Sequence, residues 1–433
     1  LLFIVVTYLT TRLAFGHGPA LLAALYLAIP PAFFATWSIK ARGGYVELLA
    51  LGQLLFLLAL LIVQCPTRWT TSWLGAFGLL GGLTFWTNVL AAMYLLPGVG
   101  LMLVHRRREL LRPATVALVA GFALGAWPLI GYNLANDFAT WRTLFSGSFR
   151  FGEAWRHLVE QVRYSGPILV GLAQASSSLE LFRADFAGRP GRWLVVPLAL
   201  ALLMAVTAIA FCRSVLRSLR PTASLADLAA AQALLLTLAN ILATSATRFG
   251  ELATEPRYLM PLYSAVPLFA VLGWRLRQHS RPVFVVTVAL VLSVNLSSLA
   301  TADPKLNLPS HIGATNPATR AELARFLLDH GLVHVYTDYW LAYPLAFETG
   351  ERIIPSSTSG GFNRYLPYAH AVSVAANPAF VFVAGRPEEG AFQKKLDRLG
   401  ATAKRDRVAI YHVYRDVQPS SALVALRRND TNP

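Results

Sequence analysis

Charge is scarce in this sequence. Only 14% of its 433 residues are Asp, Glu, Lys or Arg, where a soluble domain carries about a quarter. Hydrophobic residues make up 55% and the mean hydropathy is positive. Several windows of roughly 18–20 residues hold almost no charge, the length at which a helix spans a bilayer. This excludes an ordinary soluble domain and predicts a polytopic α-helical membrane protein. Cysteine is almost missing too. Cys65 and Cys212 stand far apart, which excludes a disulfide framework and any CxxC metal spacing. Both fall at helix ends predicted to be cytoplasmic, where thiols stay reduced. Acids are outnumbered, 22 against 38 basic residues, for a net charge of +16. In a soluble chain that excess would point to nucleic acid; here the bias of cytoplasmic loops toward Lys and Arg accounts for it. The motifs of soluble enzymes are lacking: there is no P-loop, no GxGxxG after a strand, no HExxH and no GxSxG. The nine histidines are scattered. His17 and His311 read as solvated or hydrogen-bonded, since no metal-ligand spacing surrounds them.

What is present is a series of apolar segments. Ten run near 1–14, 19–37, 46–64, 72–87, 89–104, 114–132, 193–211, 226–244, 259–274 and 283–300. The pair 72–104 reads as helices broken around Trp86-Thr87-Asn88. Glycines at 75, 78, 81 and 82, and again at 121 and 125, permit close helix approach. The chain opens with "LLFIVVTYLT", without Met, a charged n-region or a cleavage site, so this is not a signal peptide. It begins inside an apolar helix and is expected to be an N-terminally truncated part of a longer protein.

The loops set an orientation. Arg12, Arg68, "HRRRELLR" (105–112), "RSVLRSLR" (213–220) and "RLRQHSR" (275–281) hold 12 basic residues, with Glu109 and Asp227 as the acids. Loops of this kind belong in the cytoplasm. They alternate with mixed-charge loops at 38–45, 133–192 and 245–258, which are therefore expected outside, as is everything after 300. Within the long outer loop, "WRHLVEQVRYSGPILVGLAQA" reads as an amphipathic helix at the interface, with Trp141, Trp155 and Tyr164 suited to the headgroup level. The expected domains are a transmembrane domain at 1–300, an extracytoplasmic α/β domain at 301–418 and a frayed tail at 419–433. In the α/β domain, "PATRAELARFLLDHG", "YWLAYPLAFETG" and "EEGAFQKKLDRLG" are predicted helices. "LVHVYTD", "RIIP", "AFVFVAG" and "RVAIYHVYRDV" are predicted strands of a mostly parallel sheet. Aromatics in "DYW" (338–340) and "RYLPY" (364–368) stand where sugars could stack, although such residues also serve packing.

Two outer stretches concentrate polar groups beside membrane-length helices. The first, "WSIKARGGYVELLALG", gathers Lys40, Arg42, Tyr45 and Glu47 around a Gly43-Gly44 turn. Glu47 falls in the first turn of the next helix, where the dipole favours an anion. The plain account is a helix start flanked by snorkelling cations. The functional account is an anion site: Lys40 and Arg42 face a phosphate, and Glu47 orients a sugar hydroxyl or an amine. The second, "TEPRYLMPLYSAVPLF", places Glu255, Arg257 and Tyr258 at the mouth of a helix, with Arg248 and Glu251 close by and Pro256 and Pro261 fixing the backbone. An ionisable residue at membrane depth is a functional candidate. A planar guanidinium beside a Tyr suits a lipid-linked phosphate.

"EPRYLMPLYSAVP", preceded by "ARGGYVELLALG" between two apolar helices, resembles the pattern of the GT-C superfamily of membrane glycosyltransferases. The nearest groups are the family 39-like and rhizobial-galacturonosyltransferase-like bacterial proteins. "GLLGGLTFWTN" and the α/β stretch "VYTDYWLAYPLAFETGERI" are similar as well. The resemblance implies transfer of a sugar from a polyprenyl-phosphate donor to a lipid, glycan or protein acceptor at the outer face of the bacterial inner membrane. It implies substrate-binding roles for Lys40, Arg42, Tyr45, Glu47, Glu255, Arg257 and Tyr258. It places the catalytic acid in an outer loop upstream of Leu1, so no catalytic residue is named here. A divalent metal is compatible with such chemistry, but no residue pattern demands one. Two other classes compete. A transporter is disfavoured by the lack of an internal repeat and of ionisable residues inside the apolar segments. A non-catalytic membrane protein that binds glycan or lipid is the other.

Overall fold

A computed structural model of the chain describes all residues except 40–42, 67–68, 111–113, 146–150, 177–182, 186–210, 248–249, 251–254, 303–316, 358–362, 364 and 428–433. The chain divides into two compact units, Leu1–Leu308 and Pro309–Pro433.

The first unit is helical. In order it contains α1 (Leu2–Phe15), α2 (His17–Ala28), α3 (Ala32–Ile39), α4 (Tyr45–Gln64), α5 (Thr70–Thr87), α6 (Ala92–His105), α7 (Arg107–Leu110), α8 (Ala114–Gly125) and α9 (Trp127–Ala135). After these come α10 (Ala139–Phe145), α11 (Phe151–Glu160), α12 (Gly166–Leu169), α13 (Leu225–Ala246), α14 (Val266–His279) and α15 (Arg281–Ala300). A short antiparallel pair, β1 (Gln174–Ser176) with β2 (Arg183–Asp185), follows α12.

Every expected apolar segment contains a helix except 193–211, which lies outside the described residues apart from its last. The expected count of about ten spans is not reached by length, however. Among the described residues four helices are long and apolar enough to cross a membrane: 45–64, 225–246, 256–279 and 281–300. The number rises to six if each of two bent pairs is one span. The bends lie between α2 and α3 (73°) and between α8 and α9 (67°). Pro30 and Pro31 explain the first, because proline cannot supply the N–H that a continuous helix needs. Its freed groups find partners on α15: Asn295 Nδ2 donates to the Ile29 carbonyl at 2.6 Å, and the Ala32 N–H donates to Ser298 Oγ at 3.1 Å. In the second, Pro128 sits in the first turn of α9. The predicted break after Trp86 is present: α5 ends at Thr87, and a 3-10 turn over Val89–Ala91 leads into α6.

Glycine decides the closest packing. A Cβ on Gly78 or Gly82 would strike the carbonyl oxygen of Leu118 or Phe122 on α8, and one on Gly125 would strike that of Leu79 on α5. The two helices therefore touch backbone to backbone, as small residues allow. At the cytoplasm-facing start predicted for α13, Ser224 accepts the Asp227 N–H at 3.2 Å and donates to its carboxylate at 2.8 Å, a reciprocal cap.

The second unit contains α16 (Pro317–Asp329), β3 (His334–Thr337), α17 (Tyr339–Glu348), β4 (Ile354–Ser357), α18 (Leu366–Val374), β5 (Ala379–Val383), α19 (Pro387–Arg398), β6 (Thr402–Val408), β7 (Tyr411–Gln418) and α20 (Ala422–Arg427). The five strands lie in the order β4-β3-β5-β7-β6. β3 pairs parallel with β4 and with β5, whereas β7 is antiparallel to both β5 and β6. The sheet is thus mixed, not mostly parallel. The reason is a hairpin in the stretch read as one final strand: Val408 pairs with Tyr411, leaving only Ala409 and Ile410 as the turn. Ala409 takes a left-handed φ of 51° that usually favours Gly or Asn. The tail also differs from expectation. Ala422, Leu423 and Leu426 of α20 are buried with Phe380 and Val417, so apolar burial orders it.

Two cores sandwich this sheet. One joins Leu323 and Leu327 of α16, Leu341 and Leu345 of α17, and Val335, Val381 and Val413. The other joins Val372 of α18, Phe392 and Leu396 of α19, and Tyr336, Phe380, Phe382 and Tyr414.

Glu389, buried in the first turn of α19, ties helix to sheet. It accepts hydrogen bonds from Tyr414 Oη (2.6 Å), His412 Nδ1 (2.6 Å) and the Gly385 N–H (2.7 Å). Burial pushes its carboxyl up, but the Tyr414, Gly385 and His412 bonds together outweigh this and hold it below the ordinary carboxylate range. A carboxylate depressed in the folded state contributes stability above the unfolded value, which is lost as pH falls through the folded one. Glu389→Gln is expected to cost about 1.5–3 kcal/mol at neutral pH. It should also flatten the acid limb below about pH 4.5, read as the unfolding transition of this unit by scanning calorimetry.

Candidate functional site

The site grows from two turns. Gly43 and Gly44 both have left-handed φ, 68° and 66°. A Cβ on Gly44 would meet the Thr87 carbonyl oxygen at 2.8 Å. Asn88 Nδ2 donates to the Gly43 carbonyl at 2.9 Å, and its Oδ1 accepts the Leu90 N–H at 2.9 Å. One asparagine therefore caps the end of α5 and pins the start of α4. Tyr45, the first residue of α4, is buried and meets Trp37 edge to face at 5.5 Å between centroids.

The second turn is the segment Pro256–Ala265, which forms a 3-10 helix where an α-helical start was expected. Pro256 and Pro261 each lack the N–H that an α-helix would use. The Glu255 carbonyl accepts the Tyr258 N–H at 3.3 Å. This winding sets Glu255, Arg257 and Tyr258 side by side. Arg257 Nη2 lies 2.5 Å from Glu255 Oε2, and the two side chains are only 19% and 15% exposed. The guanidinium carbon stands 5.0 Å from the Tyr258 ring centre, a cation–π distance, and Nη2 reaches the Tyr258 hydroxyl at 3.4 Å. Tyr258 in turn meets Tyr45 edge to face at 6.2 Å between centroids. From α13, Asn240 Nδ2 donates to the Tyr258 carbonyl at 3.1 Å.

The structure thus joins Tyr45 to Glu255, Arg257 and Tyr258, which lie more than 200 residues further along the sequence. Glu47 is exposed on the first turn of α4 and makes no hydrogen bond or ion pair among the described residues. Lys40 and Arg42 lie outside the described residues, as do Arg248 and Glu251. The Arg257 Nε–H and the Asn240 Oδ1 are buried without a partner among the described residues. A buried unpaired donor costs about 1–3 kcal/mol, so such a group calls for a ligand or water. Among the described residues no group of three or more His, Cys, Asp or Glu could hold a metal ion.

Two polar features escaped the reading of the sequence. His157, on α11, is fully buried: its Nδ1 lies 2.8 Å from the Ser245 carbonyl and therefore carries a proton, and its Nε2 is 3.5 Å from Glu153. Gln161 continues the same face with a bond of 3.0 Å to Thr244. His157, Gln161 and Ser165 recur every four residues, a polar stripe on an apolar helical face that the sequence does display. The segment is one continuous helical run from Phe151 to Leu169, with a π-turn over Gln161–Ser165 between α11 and α12. Deeper in the bundle, Gln53 and Gln232 line a cavity of about 10 Å³ with Thr10, Thr11 and Ser264. Among the described residues, amide atoms of both glutamines lack partners there, and the space is close to that of one water.

No family model matches the chain, and no curated protein matches it. Among solved structures it is similar to the crystal structure of ArnT from Cupriavidus metallidurans bound to undecaprenyl phosphate. That match has 15% identity and a TM-score of 0.48, over 97% of this chain and 82% of that one. It is also similar to ArnT from the same organism in the apo state, with 15% identity and a TM-score of 0.36, over 98% of this chain and 82% of that one.

Proposed function

We propose that the chain is a membrane glycosyltransferase of the GT-C type. It moves a sugar from a polyprenyl-phosphate-linked donor to a lipid, glycan or protein acceptor at the outer face of the inner membrane. The observation that carries this reading is Arg257. A guanidinium stands at the mouth of a membrane-length helix, stacked on Tyr258, held by Glu255, with a buried Nε–H still to be paired. The similarity of "EPRYLMPLYSAVP" and "ARGGYVELLALG" to the superfamily pattern supports it.

A lipid phosphate suits such a place because its tail lies in the bilayer and its headgroup at the rim. When the anomeric carbon–oxygen bond to the donor phosphate breaks, negative charge develops on the departing phosphate. Arg257, with Lys40 and Arg42, stabilises that charge. Glu255 and Tyr258 hold the guanidinium in position, and Tyr45 holds Tyr258. Glu47, exposed at the start of α4, orients a hydroxyl or amine of the substrate. The acceptor loses its proton to a carboxylate. The Arg-rich loops then face the cytoplasm and the α/β unit stands outside.

The test uses the full-length protein in nanodiscs with a radiolabelled polyprenyl-phosphate-linked hexose, and follows label into acceptor and free polyprenyl phosphate. Binding of the lipid without release of label would favour the non-catalytic protein. Equilibration of label across a sealed vesicle without transfer would favour a transporter. Glu47→Gln is expected to lower turnover about 10-fold or more while lipid binding persists, since a hydrogen bond to a charged group contributes about 1.5–3 kcal/mol. Parental turnover in that variant would reduce Glu47 to an acid at a helix start.

A further inference from the structure

The second unit has a topological switch point. β3 leads into α17, whose Leu341 and Leu345 pack in the core on one face of the sheet. Its parallel neighbour β5 leads into α19, whose Phe392 and Leu396 pack in the core on the other face. Connections that leave adjacent strands toward opposite faces open a crevice at the strands' carboxyl ends, the place where open α/β sheets take ligands.

The residues at that crevice are Asp338, directly after β3, and Gly385, Arg386 and Glu388, after β5. Asp338 is half-buried, and Arg386 and Glu388 are close enough to act on its charge. Yet Asp338 and Arg386 form no ion pair with each other, and Arg386 makes no side-chain hydrogen bond or ion pair among the described residues. The loop that carries Arg386 is fixed: the Gly385 N–H is held by Glu389 at 2.7 Å. A Cβ on Gly385 would meet nothing within 4 Å, so there is open room beside it.

We infer that this crevice, formed by Asp338, Gly385 and Arg386, is a second ligand site that binds a neutral sugar through a vicinal diol. A carboxylate at the end of a parallel strand accepts two adjacent hydroxyls, and a guanidinium opposite it donates to a hydroxyl or ring oxygen. A phosphate ligand fits poorly: two acids stand against one base, and the turn after β3, "TDYW", has none of the glycines that let a backbone wrap a phosphate. Burial raises the Asp338 carboxyl above the ordinary carboxylate range, although backbone N–H groups of Trp340 and Leu341 pull the other way. The site does not depend on sugar transfer at Arg257.

The experiment is saturation-transfer NMR on the full chain in nanodiscs, with methyl α-D-glucopyranoside, methyl α-D-galactopyranoside and D-galacturonate as probes. Either neutral glycoside should receive saturation at its ring protons with a millimolar Kd. That Kd should rise at least fivefold in D338N and in R386Q, with thermal unfolding unchanged, and stay the same in R257A. Asn caps a helix as well as Asp, so D338N separates the carboxylate from its capping role; R386Q probes the site without touching the cap. No saturation of either glycoside, or equal saturation in D338N and R386Q, would overturn the assignment. Preference for galacturonate would also overturn it, in favour of an anion site at Arg386. Failure of the transfer reading would appear only in the label assay and would leave this binding intact.

Discussion

Arg257→Ala should lower sugar transfer from a polyprenyl-phosphate donor by about 100-fold or more while the protein still inserts in the membrane. Removing one preorganised donor from a developing oxyanion costs about that much. Here the donor also closes an ion pair of 2.5 Å with Glu255, so the alanine variant removes the cation beside a poorly exposed carboxylate. That would itself destabilise the turn. Arg257→Lys resolves the two effects. It keeps the positive charge for Glu255 but loses the planar fork and the stacking on Tyr258. The lysine variant should therefore extract and unfold like the parent, yet transfer sugar at least about 10-fold more slowly. Near-normal transfer by either variant would remove Arg257 from the site. Loss of transfer together with loss of extractable protein in both would make Arg257 a residue of folding alone.

Gly82→Ala is expected to destabilise the first unit severely. Its methyl would run into the Phe122 carbonyl and stand 2.7 Å from the Ala126 nitrogen, all of it rigid backbone. Neither helix can yield at one residue, so α5 and α8 must separate along their length. Overpacking of a well-filled interior costs about 1–3 kcal/mol when side chains can shift, and here they cannot relieve the clash. The expected result is loss of most monodisperse protein after detergent extraction, and the same from Gly78→Ala. Gly131→Ala is the control, since a Cβ there meets nothing within 4 Å. Comparable yields from Gly82→Ala and Gly131→Ala would refute the close contact.

Much of this was legible in the sequence because membranes and glycine leave strong marks. Uncharged windows located the helices, and "GLLGGL" announced a helix that another backbone could approach. Tyr45, Glu255, Arg257 and Tyr258 were marked by polar groups that stand where apolar ones are cheaper. Their mutual contact was not legible, because it depends on how α4 and the 3-10 segment cross. Asn240 and His157 were missed for a related reason. Each lies inside a helix whose average character hides it, and its meaning depends on a carbonyl over 15 residues away, Tyr258 for one and Ser245 for the other. The hairpin at Ala409-Ile410 carries no Asn-Gly or Asp-Gly signal, so two strands read as one. β6 itself, "TAKRDRV", is half charge, which suits an edge strand that must not pair further.

The bend between α2 and α3 carries a consequence for how the sequence can change. Ile29 and Ala32 have their freed backbone groups satisfied by Asn295 and Ser298, each 266 positions away. Gly171 packs against Pro31 and Ser298 at the same place, where a Cβ would crowd each of them at 3.2 Å. α15 is otherwise little covered, with 11% of its apolar window buried, and Asn295 and Ser298 are its buried residues. A lineage that replaces the proline pair and straightens the helix loses the need for Asn295 and Ser298, which are then free to drift to apolar residues facing lipid. A lineage that keeps the prolines must keep both. Relatives should therefore show these five positions changing together or not at all, while the rest of α15 varies among apolar residues without restraint.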